Sequence, residues 1–265
     1  ILKDGIKTSR IMENIIEGAI QLTSPSAPDW VFVAGRAYAM NSQHAWEVKG
    51  KSFTKMVKDG IKKGVYAKDY SKYTDEQLDK FSQMIDYSRD LDLSISAHRT
   101  AKSKYLLPGE LNQHLHMLNA MRFGLATENH PSNLALSIKE GYDLLSTREF
   151  SLATPWMSAW RTGGNIASCF VIAPDDNLDS IMSVMTRTAA ISKAGGGVGV
   201  YLGYLRASGS KVNGRKNAAG SIVNWVKILN DISIAVDQGG KRAGAVKVSL
   251  PLWHNDIDKF LDMQE

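Results

Sequence analysis

The chain has 265 residues, 32 Lys and Arg against 27 Asp and Glu, a formal net charge of +5, and one cysteine. A single thiol excludes an internal disulfide framework and a cysteine-based zinc site, which both need at least two sulfurs. With 43% apolar and 22% charged residues, no apolar run of about 18 residues and no secretory leader, a cytoplasmic chain of one or two globular domains is expected, without a membrane segment.

The first part reads as helices. Ile11, Ile15, Ile16, Ala19 and Ile20 form one apolar stripe over 11–22, at helical spacing. Asp29 precedes a second helix predicted through Ala39, as an N-cap residue would. Thr74 followed three residues later by Gln77 has the form of a capping box and opens a third helix, predicted to end near Arg89. Further helices are predicted over 110–126 and 132–145.

Composition changes after Thr147. Of the 22 glycines, 13 fall between Gly163 and Gly244, where backbone with positive φ or a close approach is repeatedly needed. Apolar runs at 168–173, 199–205 and 245–250 read as strands. They alternate with a helix after Asp176 and Asn177 that places Leu178, Ile181, Met182 and Met185 on one face and runs to Lys193, and another carrying Ile222, Val226, Leu229, Ser233 and Val236. Strand, helix, strand, helix, strand is the pattern of parallel α/β units. A helical domain over 1–147 and an α/β body over 148–265 are expected. The chain begins at Ile1 and ends in Leu-Asp-Met-Gln-Glu, so a piece of a longer protein is expected.

Several chemical motifs fail on inspection. Gly195, Gly196, Gly197 and Gly199 follow a helix and precede a strand, the reverse of a dinucleotide fingerprint. They read as a helix C-cap running into a buried strand, or as backbone bare enough to touch a ligand. Gly239-Gly240-Lys241-Arg242 lacks the Ser or Thr and the upstream glycine of a phosphate-binding P-loop. The six histidines, His44, His98, His114, His116, His130 and His254, form no metal signature, and His114 and His116 diverge on a helix. Trp253-His254-Asn255-Asp256 reads as the cap of a final helix over 257–263. The basic stretch from Lys55 to Lys68 reads as a solvated helix face, and the dispersed charge does not indicate direct nucleic-acid binding. Cys169 has two readings: a buried small hydrophobe, or a redox thiol. The second requires another thiol from outside this chain.

Taken in order, Ser168-Cys169-Phe170, Asp175-Asp176, the run 191–199, Leu205 to Ser210, Val236 to Ala245 and Leu252 to Ile257 resemble the ribonucleotide reductase catalytic subunit. The first part, through Asp29 to Arg36, Ile85 to Asp90 and Ala153-Thr154-Pro155, is similar to that family's helical N-terminal domain. The resemblance implies an α/β fold: a helical N-terminal domain followed by the first half of a ten-stranded α/β barrel. It implies reduction of ribonucleotides to deoxyribonucleotides by thiyl-radical chemistry, with Cys169 as one of two reducing cysteines. The radical cysteine and the second reducing cysteine would belong to sequence beyond Glu265.

By position, the resemblance implies substrate roles for Thr154, Ser168, Gly196 and Arg242. It implies effector roles for Asp176, Lys193, Arg206, Val212, Asp237 and Gln238, where ATP or deoxynucleoside triphosphates would set specificity. Segments 212–220 and 237–244 match the two specificity loops. No cofactor or metal would be held by this chain itself; the radical would come from a metal-containing small subunit or from adenosylcobalamin. The implied partners are the C-terminal half of the catalytic subunit, a second large subunit, that radical-generating subunit, and a thioredoxin- or glutaredoxin-type reductant. The alternative is a catalytically inactive, nucleotide-binding regulatory piece.

Overall fold

A computed structural model of the chain describes residues 5–126, 134–236 and 244–264. They fall into two compact units, Ile1–Gly164 and Asn165–Glu265, so the segment 148–164 packs within the first.

The first unit is helical: α1 (Thr8–Gln21), α2 (Trp30–Val48), α3 (Phe53–Lys62), α4 (Asp75–Gln83), α5 (Ile95–Thr100), α6 (Asn112–Ala126), α7 (Leu134–Ser146) and α8 (Thr154–Ser158). Its main core gathers Phe53 and Val57 of α3, Leu78 and Phe81 of α4, Met117, Leu118 and Met121 of α6, and Ile138 and Tyr142 of α7. The predicted second helix continues well past Ala39, to Val48, because no glycine or proline lies between those two residues. The capping box is present at Thr74 and Gln77. The helix it opens stops at Gln83 rather than near Arg89, because the Asp86 carboxylate accepts from the Ser88 N–H and begins a 3-10 turn over Tyr87–Asp92. The lysine-rich stretch is largely α3, with Ser52 as N-cap, Phe53, Val57 and Gly60 buried, and Lys55, Lys58 and Lys62 exposed. In α2, a Cβ on Gly35 would stand 2.0 Å from the Leu93 carbonyl oxygen, so only glycine allows this helix to lie against the chain entering α5.

The second unit is a parallel sheet in the order β1-β2-β3, formed by β1 (Cys169–Ile172), β2 (Gly197–Tyr201) and β3 (Val246–Ser249). Cys169 pairs with Gly197, Val171 with Gly199, Gly199 with Lys247, and Tyr201 with Ser249. Helix α9 (Leu178–Lys193) connects β1 to β2, α10 (Val223–Ala235) connects β2 to β3, and α11 (Ile257–Leu261) follows. The predicted second strand starts two residues early, at Gly197, because glycines that read as a cap also pair in the ladder. The cap itself is present: Gly195 takes φ +88°, and the N–H of Gly196 donates to the Ile191 carbonyl. The final helix is shorter than expected, ending at Leu261 before a 3-10 turn.

One face of the sheet is packed. Val198 and Val200 of β2 meet Ile181, Val184 and Met185 of α9 and Leu229 of α10. Burial along α9 is displaced from the predicted stripe: Leu178 is 63% and Met182 48% exposed, while Val184, Thr188 and Ser192 are buried.

Candidate functional site

The other face of the sheet is open. Alternation along β1 puts Phe170 and Ile172 toward the core and Cys169 and Val171 outward, and Val171 is 83% exposed. Cys169 is a free, exposed thiol, which excludes the buried-hydrophobe reading. Its neighbours are small. The Ser168 hydroxyl lies 3.5 Å from Cys169 Sγ, and the residues beside Cys169 and Val171 on β2 are Gly197 and Gly199. A Cβ on Gly197 would come no nearer than 3.6 Å to Ser168 O, and one on Gly199 no nearer than 3.7 Å to Phe170 O. These glycines therefore leave room rather than relieve a clash.

Gly196 differs. It is buried, and a Cβ there would stand 2.7 Å from side-chain atoms of both Ile191 and Phe170. The structure thus gives Gly196 a packing reason, and puts Gly197 and Gly199, which sequence reasoning did not single out, beside the thiol.

A second feature lies where β1 leads into α9. Asp176, Arg206 and Val212 line one cavity of about 290 Å³, together with Ile181, Ala219 and Trp225. Arg206 is fully engaged there: Nε donates to Asp176 Oδ2 at 2.7 Å, Nη2 to the Asp176 carbonyl at 3.1 Å, and Nη1 to the Lys211 carbonyl at 3.3 Å. Both side chains are more than a third exposed, so the pair contributes little stability. Its geometric role is to hold the segment after β2 against the start of α9. Lys193 lies at the opposite end of α9, about 24 Å from Asp176 along a rigid 16-residue rod. One copy of this unit therefore does not bring Lys193 to the cavity.

Asp256 fixes the loop that borders this cavity. It does not cap α11 with its side chain. Its carboxylate instead accepts from the Ser208 N–H and hydroxyl and from the Ile222 N–H, at the two ends of the loop. His254 supports it, donating from Nε2 to the Leu205 carbonyl at 2.8 Å and accepting from the Asp256 N–H at 3.1 Å. Between these anchors Val212 and Arg215 exchange two backbone hydrogen bonds across a tight turn. Burial opposes ionisation of Asp256, but the bonds from Ser208 and Ile222 and the Lys259 charge outweigh it and hold the carboxyl down at about 2.

A folded pKa below the unfolded one stabilises above the unfolded pKa of 3.8 and is lost as pH falls through the folded value. Acid titration should therefore remove about 2 kcal/mol between roughly pH 4 and pH 2 from this carboxyl. Asp256→Ala should flatten that limb in denaturant unfolding followed against pH; an unchanged limb would refute the assignment.

Of the other predicted residues, Thr154 opens α8 in the first unit, half-buried, with its carbonyl accepting from Ser158 Oγ at 2.9 Å. Asp237, Gln238 and Arg242 lie outside the described residues. His114 and His116 do diverge: His114 Nε2 meets Tyr87 Oη at 2.8 Å, while His116 lines a separate cavity. Among the described residues no group of three His, Cys, Asp or Glu is placed to hold a metal ion, and no helix is long and apolar enough to cross a membrane.

The βαβαβ unit is that of a partial α/β barrel, and residues 167–265 match the family described as "Ribonucleotide reductase, barrel domain". The chain is 38% identical over 99% of its length to the ribonucleoside-diphosphate reductase subunit alpha of Synechocystis sp., and covers 35% of that protein. It is 30% identical over 97% of its length to subunit alpha of reductase 1 of Escherichia coli, again covering 35%. An alpha subunit of a class Id ribonucleotide reductase from Actinobacillus ureae shares the fold, with a TM-score of 0.50 and 22% identity over 65% of this chain and 30% of that one. The chain belongs to the ribonucleotide reductase large-subunit family. It spans about a third of the length of the curated relatives it matches.

Proposed function

We propose that this chain is the part of a ribonucleoside-diphosphate or triphosphate reductase that carries the effector-specificity elements and half of the active site. The observation that carries this reading is the exposed thiol of Cys169 on a sheet face left bare by Gly197 and Gly199. A ribose and its flat base can lie against such backbone, within reach of the thiol and the Ser168 hydroxyl. In the overall reaction two thiols lose two hydrogens and close a disulfide, while the ribonucleotide loses its 2′-hydroxyl as water and becomes the deoxyribonucleotide. Cys169 supplies one of those thiols in thiyl-radical chemistry. The second thiol and the radical come from the remainder of the subunit and from a metal-containing small subunit or adenosylcobalamin, and a thioredoxin- or glutaredoxin-type protein reopens the disulfide.

The cavity at Asp176, Arg206 and Val212 is assigned to the deoxynucleoside triphosphate or ATP effector, with Asp176 accepting from a sugar hydroxyl and Arg206 turning toward phosphate. Exposed Leu178 and Met182 on α9 support pairing of two large subunits there, which would bring Lys193 of one copy within reach of the other's cavity. Thr154, Gly196 and Arg242 are assigned to substrate, and Asp237 and Gln238 to communication between effector and base. A regulatory reading without catalysis is favoured by the cavity alone.

Mixing the chain with one carrying the rest of the subunit and a radical source should restore reduction. Gly197→Ala separates the two readings, because its Cβ fits the fold and intrudes on the substrate face. Its unfolding free energy should change by less than about 0.5 kcal/mol, while KM for ribonucleotide rises about tenfold or more. An unaltered KM in an active mixture would count against the substrate face.

A further inference from the structure

The first unit contains a cavity of about 450 Å³ that the reductase reading does not use. Its walls combine apolar side chains, Leu93, Leu115, Leu145 and Met157, with polar ones, among them Thr100, His116 and Arg148, a mixture usual for sites that enclose small organic ligands. One of the polar lining residues stands without a partner. Asn119 of α6 is 0% exposed, and among the described residues neither its amide nitrogen nor its amide oxygen has a hydrogen-bond partner. A buried carboxamide with both ends unsatisfied is costly, and such groups are normally paired. Two other buried polar side chains of α6 are paired: Asn112 with His98 at 3.0 Å, and Gln113 with Asp90 at 2.7 Å.

We propose that this cavity binds a small neutral molecule presenting a cyclic amide edge, an N–H beside a C=O, on an apolar ring. A lactam edge is complementary to a carboxamide: the ligand N–H donates to Asn119 Oδ1 and the ligand carbonyl accepts from Asn119 Nδ2, in two parallel bonds. The rest of the site fits a neutral ring. His116, on the preceding turn of α6, also lines the cavity, and its imidazole is held neutral, down to about 4, by burial and by the Arg161, Arg148 and Arg89 charges. Those same cations disfavour a cationic ligand. Arg148 lines the cavity as well and makes no side-chain hydrogen bond among the described residues; with its backbone at φ +68°, it is the left-handed residue that ends α7. Its guanidinium adds a donor for an acceptor group on the ligand. The proposal does not depend on the reductase reading.

The test uses the 265-residue chain and the bicyclic lactam isoquinolone, with its O-methyl ether as the partner that keeps the ring and loses the N–H. Isoquinolone should raise Tm in a dose-dependent way and shift the side-chain amide resonances of Asn119. The ether should bind at least tenfold more weakly, and Asn119→Leu should lose at least tenfold in affinity for the lactam. Equal binding of lactam and ether overturns the proposal without recourse to any variant. So does undiminished lactam binding by folded Asn119→Leu, or no binding by the folded wild-type chain up to the solubility of the probe.

Discussion

Replacing Arg161 by Met is expected to destabilise the first unit by about 3–5 kcal/mol, as removal of one partner from a buried ion pair does. Arg161 is wholly buried. Its Nη1 donates to Glu110, its Nη2 to the Tyr105 carbonyl, and its Nε to the Met157 carbonyl at 3.0 Å. Glu110 is equally buried within the pair and accepts from Tyr66 Oη at 2.9 Å and from the Leu107 N–H at 2.7 Å. Without the guanidinium, that carboxylate stays enclosed with two neutral donors and no countercharge. Burial and the Glu110 charge already keep the Tyr66 hydroxyl protonated far above the ordinary tyrosine range, so no nearby group can take up the imbalance. Denaturant unfolding is the measurement. The double variant Arg161→Met with Glu110→Gln should recover more than half of the loss, because it removes the uncompensated charge. A single-variant loss below about 1 kcal/mol would show that the pair does not hold segment 148–164 to the helical unit.

The second large effect is on chemistry. Cys169→Ser should leave the fold intact, changing stability by less than about 0.5 kcal/mol because the side chain is exposed. Turnover of the reassembled enzyme with a dithiol protein reductant should fall by roughly 100-fold or more, since a serine hydroxyl cannot close a disulfide. Effector binding should be unchanged, because Asp176 and Arg206 belong to a different part of the unit. Turnover by the serine variant at the wild-type rate would exclude Cys169 from the redox pair, however well placed it is on the open face.

What the sequence revealed follows the range of the interactions involved. The capping box at Thr74, the N-cap before Leu178 and the glycine cap after Lys193 are local, spanning three or four residues, and all three are present. The three strands and their crossover helices were legible from apolar runs and their spacing. The burial of α9 was legible in part: Ile181 and Met185 are packed, but its apolar arc is wide, and periodicity does not say which edge of a wide arc is packed, so Leu178 and Met182 lie outside. Asp256 read as a cap because Asn and Asp before a helix usually are, whereas its partners Ser208 and Ile222 are 48 and 34 residues away. Arg161 and Glu110 are 51 residues apart, and neither carries a local pattern that announces burial. For the same reason Gly197 and Gly199 were indistinguishable from Gly196 until the register placed them beside Cys169 and Val171.

The ladder order β1-β2-β3 leaves β1 and β3 as outer strands. Each therefore offers one row of backbone N–H and C=O groups to any extended segment that reaches it. Nothing about such an edge is selective: Lys247 is the one charged residue among the three strands, and Cys169, Gly197 and Gly199 present almost no shape to reject a wrong neighbour. Correct extension of the sheet then depends on the right strand being tethered nearby at high effective concentration, so that it arrives before a strand from another copy does. The bareness of the sheet face beside Cys169 thus makes the order of assembly, rather than the chemistry of the edge, the safeguard against mispairing.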